Sequence, residues 1–213
     1  MQGSCTAQPS APVTRTATRV GLFDALATEA RACRLCADEL PVEPRPVIQG
    51  DARARILIAG QAPGRRVHET GIPFNDPSGV RLREWLGIDA EVFYDPCRVA
   101  LLPMGFCYPG TGRSGDLPPR RECAPQWRAP LLEALPNIRL TVAVGSYAIR
   151  WHLPESRGSL GDVVRDWREH APALFVAPHP SPRNNRWLRE HPWFEGEVVP
   201  ALRAAVRESL DFA

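Results

Sequence analysis

A chain of 213 residues with 44% hydrophobic content can bury one good core but is short for two, so a single domain is expected. The formal charge of +2 excludes a generic polyanion binder with a broad basic face, although all 26 basic residues are Arg, planar forks suited to phosphate. No apolar run is long enough to span a bilayer and the N-terminus lacks the charged-then-apolar order of a secretory signal, so a cytoplasmic protein is expected, and a monomer.

Residues 1 to 18 are rich in Ser, Thr, Ala, Pro and Gln without apolar periodicity and read as a disordered tail ahead of one domain over 19–213. From Val20 to Ala32 the spacing of Leu22, Phe23, Leu26 and Ala30 predicts a helix that delivers the chain to Cys33-Arg34-Leu35-Cys36. Four apolar runs bounded by turn residues follow, over Arg55 to Gly60, Val99 to Met104, Leu140 to Val144 and Leu174 to Ala177. Each reads as a buried parallel strand. Helical patterns fall between them, at Gly79 to Leu86, Cys123 to Leu135 and Ser146 to His152, with a last helix over Glu197 to Leu210. This alternation predicts a three-layer α/β/α sandwich around a central four-stranded parallel sheet, with the ligand site at the carboxyl ends of the strands.

Six cysteines in a reducing compartment are poor disulfide candidates and are read first as metal or redox chemistry. Cys33-x2-Cys36 alone fits a redox dithiol, half a zinc site or an accident. Its partners are Cys107, after the second strand, and Cys123, fifteen intervening residues on, at the start of a helix. Two such pairs suit a four-thiolate site, and ligand type alone leaves zinc and an iron-sulfur cluster both open. Cys5, in the tail, and Cys97 have no place in the pattern and read as a free thiol and a small core residue.

The cysteine spacing resembles the cluster ligands of the thermophile-type, iron-sulfur branch of the uracil-DNA glycosylase superfamily. Gly60-Gln61-Ala62-Pro63-Gly64 followed by Gly71-Ile72-Pro73-Phe74 is similar to two linked motifs of that family at the same separation, and His179-Pro180-Ser181 is similar to its second active-site motif. The resemblance implies a 4Fe-4S cluster on Cys33, Cys36, Cys107 and Cys123, with zinc as the alternative, and DNA carrying a damaged base as partner. It implies a monofunctional glycosylase of base-excision repair, with uracil as the default substrate.

Breaking the bond between base and sugar develops positive charge on the sugar and negative charge on the departing base, and an enzyme gains by stabilising both. The nucleotide must first leave the duplex, at a cost of about a few kcal/mol. By resemblance Phe74 stacks on the extruded base, and His179 donates a hydrogen bond to its carbonyl, a role worth roughly 2.7–4 kcal/mol in other enzymes. The amides of Gln61 and Ala62 face the base, with Gln61 orienting water or base, and Ser181 contacts a phosphate. Arg183 stands where relatives carry a wedge, within Arg183-Asn184-Asn185-Arg186-Trp187, a mixture that suits phosphate contact and stacking through Asn185 and Trp187. Equally, that segment reads as a solvated loop with Trp187 anchored on the core. Arg113, Arg120 and Arg121 are further candidates for the DNA backbone or for plain surface charge.

Three positions depart from the family pattern. Gln61 replaces the acid of the first loop, and a neutral amide is no base. Val67 and His68 replace a second acidic pair, leaving Glu69 and Asp76 as the nearest carboxylates, with Asp76 preferred and a loop-capping role as its alternative. Pro103 stands where the family reads uracil with Asn, and a proline side chain makes no hydrogen bond. A non-catalytic DNA-binding module on the same scaffold is therefore the second reading.

Overall fold

Strands that are apolar on both sides have no face to give to water and must be covered by helices above and below. In the computed structural model, which describes residues 16–113 and 115–211, the four apolar runs pair as such a sheet. Its strands are β1 (Ile56–Ala59), β2 (Val99–Leu101), β5 (Leu140–Val144) and β6 (Leu174–Ala177), all parallel, in the order β2-β1-β5-β6. The intervening β3 (Thr111–Gly112) and β4 (Gly115–Asp116) form a separate antiparallel pair, with Thr111 opposite Asp116. Too short for apolar alternation, this hairpin was not expected.

The helices are α1 (Thr16–Arg31), α2 (Arg65–Thr70), α3 (Pro77–Leu86), α4 (Ala90–Tyr94), α5 (Ala129–Glu133), α6 (Ser146–His152), α7 (Leu160–Arg165), α8 (Asn185–Glu190) and α9 (Val199–Asp211). On one face of the sheet Ile56, Ile58, Leu101 and Val142 pack with Leu82 and Leu86 of α3 and Leu202 and Val206 of α9. On the other, Leu57, Ala100 and Leu102 pack with Phe23 and Ala27 of α1 and Leu131 of α5. The expected three-layer sandwich with a four-stranded parallel sheet is therefore the observed architecture. None of its helices is long and apolar enough to cross a membrane.

Element ends follow local chemistry. Asp76 caps α3 by accepting the Gly79 N–H at 2.9 Å, Pro77 occupies the first turn where no N–H is needed, and Gly87 closes the helix at φ 69°. The predicted helix over Cys123 to Leu135 is instead a π-helical turn, Ala124–Arg128, running into α5. The last helix likewise begins at Val199 after the π-helical turn Phe194–Val198. Helices α2, α4, α7 and α8, each of five or six residues, were missed because so short a segment shows no full apolar period. The expected tail lies outside the described residues up to position 15, as does Cys5, whereas α1 starts within the tail's last three positions. Cys97, expected in the core, is half-buried and disulfide-bonded, so it offers no thiolate.

Among the described residues one charged side chain lies fully inside. Arg128 is 0% exposed; its Nε donates to the Leu102 carbonyl at 3.1 Å and its Nη2 lies 2.8 Å from His152 Nε2. This ties the turn after Cys123 to the end of β2 and to α6. Among the described residues no carboxylate pairs with it, and burial pulls its pKa down to about 9. Burial first, and then the Arg128 charge, pull His152 down to about 4. The unfolded chain takes up that proton near pH 6.5 and the folded chain only near 4, so stability is full above the first value and is lost as pH falls between them. A loss on the order of 3 kcal/mol is expected. In His152→Gln, which keeps an acceptor for Arg128, urea unfolding at stepped pH should show that slope flattened.

Candidate active site and cysteine centre

In a parallel sheet all strands end on one edge, and the loops leaving β1 and β6 meet there. They enclose a cleft of about 500 Å3 whose wall includes Gln61, Ala62, Phe74, Asp76, Pro103, Asp116, His179, Ser181 and Arg183. Residues up to about 120 positions apart in the sequence thus share one cavity. Asn185 and Trp187 stand outside it. The Trp187 ring stacks on His191 at 4.2 Å and packs edge-on against Trp193 and Phe194, the anchoring arrangement that was the other reading of this residue.

His179 follows β6 and is held from several sides. Its Nδ1 accepts the Ser181 N–H at 3.2 Å, so the proton of the neutral ring sits on Nε2. Burial lowers its pKa; Asp76 and Asp116 oppose the shift, and Arg183 adds to it. The imidazole is therefore a neutral donor near pH 7. Asn184 Nδ2 donates to the His179 carbonyl at 2.7 Å, and Arg81 Nη1 to the Pro180 carbonyl at 3.2 Å, fixing the loop from opposite sides. Neither residue was singled out in the sequence, because what they hold is backbone, which leaves no motif.

Phe74 is the one non-glycine residue with positive φ, 53°, among the described residues. Such a conformation is costly for an aromatic residue and tends to persist at sites where side-chain direction matters. Two glycines make room for it. A β-carbon on Gly60 would stand 3.3 Å from the Phe74 ring, and one on Gly79 would fall 1.8 Å from the Phe74 carbonyl oxygen. Gly79→Ala should therefore destabilise the fold by at least the 1–3 kcal/mol or so of ordinary overpacking, since backbone rather than a flexible side chain must give way. Thermal unfolding checks this, and a melting point equal to that of the native protein would show that the loop yields.

The remaining candidates are partly committed. Asp76 Oδ1 is spent on the α3 cap. Gln61 Nε2 donates to the Leu117 carbonyl at 2.9 Å, which fastens the first loop to the β3–β4 hairpin. Ser181 Oγ accepts the Arg183 N–H at 3.3 Å. The Arg183 guanidinium reaches over Gly115, where a β-carbon would lie 2.0 Å from Nη1, so this side chain spans the cleft from the His179 loop to the hairpin. Val67 lines the cleft, whereas Glu69 is exposed away from it.

Behind the hairpin Cys33, Cys36, Cys107 and Cys123, all free thiols, line a second, small cavity of about 30 Å3 with Leu35, Leu40, Phe106, Arg120 and Trp127 among its walls. Backbone N–H groups point at two of the sulfurs, Leu35 at Cys33 Sγ (3.5 Å) and Phe106 at Cys123 Sγ (3.3 Å). Burial is the main force raising Cys36, Cys107 to about 11 and Cys123 to about 12. Thiolates in such surroundings need a neighbouring positive charge. Arg120, considered above for DNA, is directed here: it pairs with Glu39 and with Glu122 (3.2 Å) and hydrogen-bonds Cys36. Among the described residues no group of three or more His, Cys, Asp or Glu side chains is placed to hold a metal ion, although the four sulfurs line one cavity. A four-sulfur donor set with amide donors has the chemistry of a thiolate-held metal centre, zinc or iron-sulfur.

These loops, with Phe74 and His179 across one cleft, agree with the comparison of the chain with protein families. The Uracil DNA glycosylase superfamily model matches residues 47–203, a span that includes the cleft, Cys107 and Cys123 and begins after Cys33 and Cys36. Members of that superfamily are typically DNA glycosylases that act on DNA in base-excision repair. On a match over well more than half of its length, this chain belongs to the uracil DNA glycosylase superfamily.

Proposed function

We propose that the protein is a monofunctional DNA glycosylase that hydrolyses the N-glycosidic bond of uracil or another damaged base, and that its four cysteines hold a 4Fe-4S cluster. The observation that carries the first part is the one cleft whose wall is shared by the aromatic Phe74, the neutral donor His179 and the Gln61-Ala62 turn. A base extruded from the duplex stacks on Phe74, and the Nε2–H of His179 bonds to its carbonyl oxygen as negative charge builds there. Arg183 fills the vacated space and Ser181 meets a phosphate. Pro103 in the cleft wall supplies no hydrogen bond, so uracil is read by backbone or by another side chain, and a different lesion is an open substrate.

What supports a cluster over zinc is the spacing of the four cysteines, Cys33-x2-Cys36 and Cys107-x15-Cys123, which resembles the ligand set of the iron-sulfur branch. When bound, such a group holds together the ends of the segment from Cys107 to Cys123, so its task here is positional.

The test is a panel of oligonucleotides bearing uracil, hypoxanthine, xanthine or ethenocytosine, incubated with protein purified without oxygen. Strand scission after alkali on at least one lesion is expected. Gln61 in place of an acid and Pro103 in place of an amide favour the second reading, a DNA-binding module without activity, and retarded but uncut strands throughout would decide for it.

A further inference from the structure

We infer that Asp116, on the hairpin between the second pair of cysteines, is the catalytic carboxylate that takes over from the acid missing at Gln61. The inference rests on the glycosylase reading and names a residue that the sequence did not single out.

Two carboxylates line the cleft, Asp76 and Asp116. Asp76 is bound into the start of α3 through Oδ1, and its place there is explained by capping. Asp116 caps nothing. A directed chain holds it: Thr111 Oγ1 donates to Asp116 Oδ1 at 3.1 Å, and since that hydroxyl's proton is used, the Tyr108 hydroxyl at 2.6 Å must donate to Thr111 in turn. Tyr108 is buried, at 2% exposed, so the chain starts from a fixed point. This leaves Oδ2 directed at the first loop, 3.4 Å from where a β-carbon on Gly64 would stand. That is the loop in which the family pattern carries its acid.

Gln61 completes the arrangement. Its amide donates to the carbonyls of Leu117 (2.9 Å) and Asp116 (3.5 Å), a pair of bonds that a glutamate in its place would repel rather than make. The exchange of acid for amide in the first loop and the arrival of an acid from the hairpin are thus two sides of one change. The charge also reaches the other catalytic group, since Asp116 is, after Asp76, the second of the two carboxylates acting on the His179 ring.

In the reaction the oxygen of a water molecule bonds to C1′ of the sugar while the bond from C1′ to the base nitrogen breaks and its electron pair leaves with the base. Asp116 Oδ2 takes the proton of that water, and His179 Nε2–H bonds to the base oxygen; the base anion then takes a proton from solvent. Before attack the same carboxylate offsets the positive charge on the sugar.

The experiment compares single-turnover release of whichever lesion the native protein cuts. Asp116→Asn should lose about 100-fold or more, the usual scale of a lost general base, with DNA binding and melting temperature retained. Thr111→Val, which frees the carboxylate from its tether, should lose about tenfold, the scale of one hydrogen bond. Formate should restore part of the rate to Asp116→Ala, an effect that a purely structural residue would not show. The inference is overturned if Asp116→Asn cuts at the native rate, if formate restores nothing, or if Asp76→Asn, which keeps the α3 cap, costs more than Asp116→Asn. Failure of the native protein to cut any lesion is a different result, one that removes the glycosylase reading and this residue's role with it.

Discussion

His179→Ala is expected to abolish base release while DNA binding persists. Among the described residues the ring has no ion-pair partner, and its Nδ1 is occupied by the Ser181 N–H, so what the substitution removes from the cleft is one neutral Nε2–H donor. Donors of this kind, aimed at an oxygen that becomes negative only in the transition state, contribute roughly 10²–10³ in rate, and they contribute little to ground-state affinity. Fluorescence-monitored binding beside single-turnover cleavage separates the two terms. Burial lowers the pKa of this imidazole, so the donor stays neutral below the value near 6.5 of an ordinary histidine, and the rate should not fall through that region on its account. A His179→Ala protein that cuts at full rate would falsify the mechanism while leaving the family membership untouched.

Cys123→Ala carries the second largest expected effect. Cys123 is one of four sulfurs around the small cavity and sits at the start of the π-helical turn that bears Arg128. If the cavity holds a cluster, the variant should be purified without iron and without the brown colour of the native protein. The segment from Cys107 to Cys123 then loses one fixed end. It carries Tyr108, Thr111, Asp116 and the carbonyl that Gln61 holds, so catalysis should fall together with stability. The stability loss should exceed the ~2–5 kcal/mol of an ordinary large-to-small core change, since metal binding and folding are coupled. Iron analysis and urea unfolding read the two effects independently of activity. An iron-free native protein with the same stability as the variant would remove the cluster from the account.

Both effects depend on how far loops are from being independent of one another. The Gln61 amide to the Leu117 carbonyl is a bond across 56 positions, and Arg81 to Pro180 one across 99. Each fixes a loop that carries a catalytic candidate, and each is made to a backbone oxygen. Such contacts are independent of the partner's side chain, so no residue pattern announces them. The β3–β4 hairpin is likewise invisible in the sequence, two residues to a strand with glycine in each. Asp116 was overlooked for this reason, lying in what read as an irregular Pro- and Gly-rich connection.

The layers were legible in the order of apolar runs and helical patterns. Leu140 to Val144 and Leu174 to Ala177 are strands over just the predicted residues, and the other two differ only at their ends, because a continuous apolar run has nowhere to go but between helices. The sequence also pointed to Gln61, Phe74 and His179, which line one cleft, since turn chemistry at strand ends is local and is written in adjacent residues. Tertiary packing was needed to bring Asp76 and Asp116 both into the cleft with His179, to make Trp187 an anchor and Arg120 a neighbour of the cysteines, and to bury Arg128 with no counter-charge among the described residues. The physical reason is range: periodicity and capping act over a few residues, whereas the field at a catalytic group is the sum over every charge the fold brings near, whatever its place along the chain.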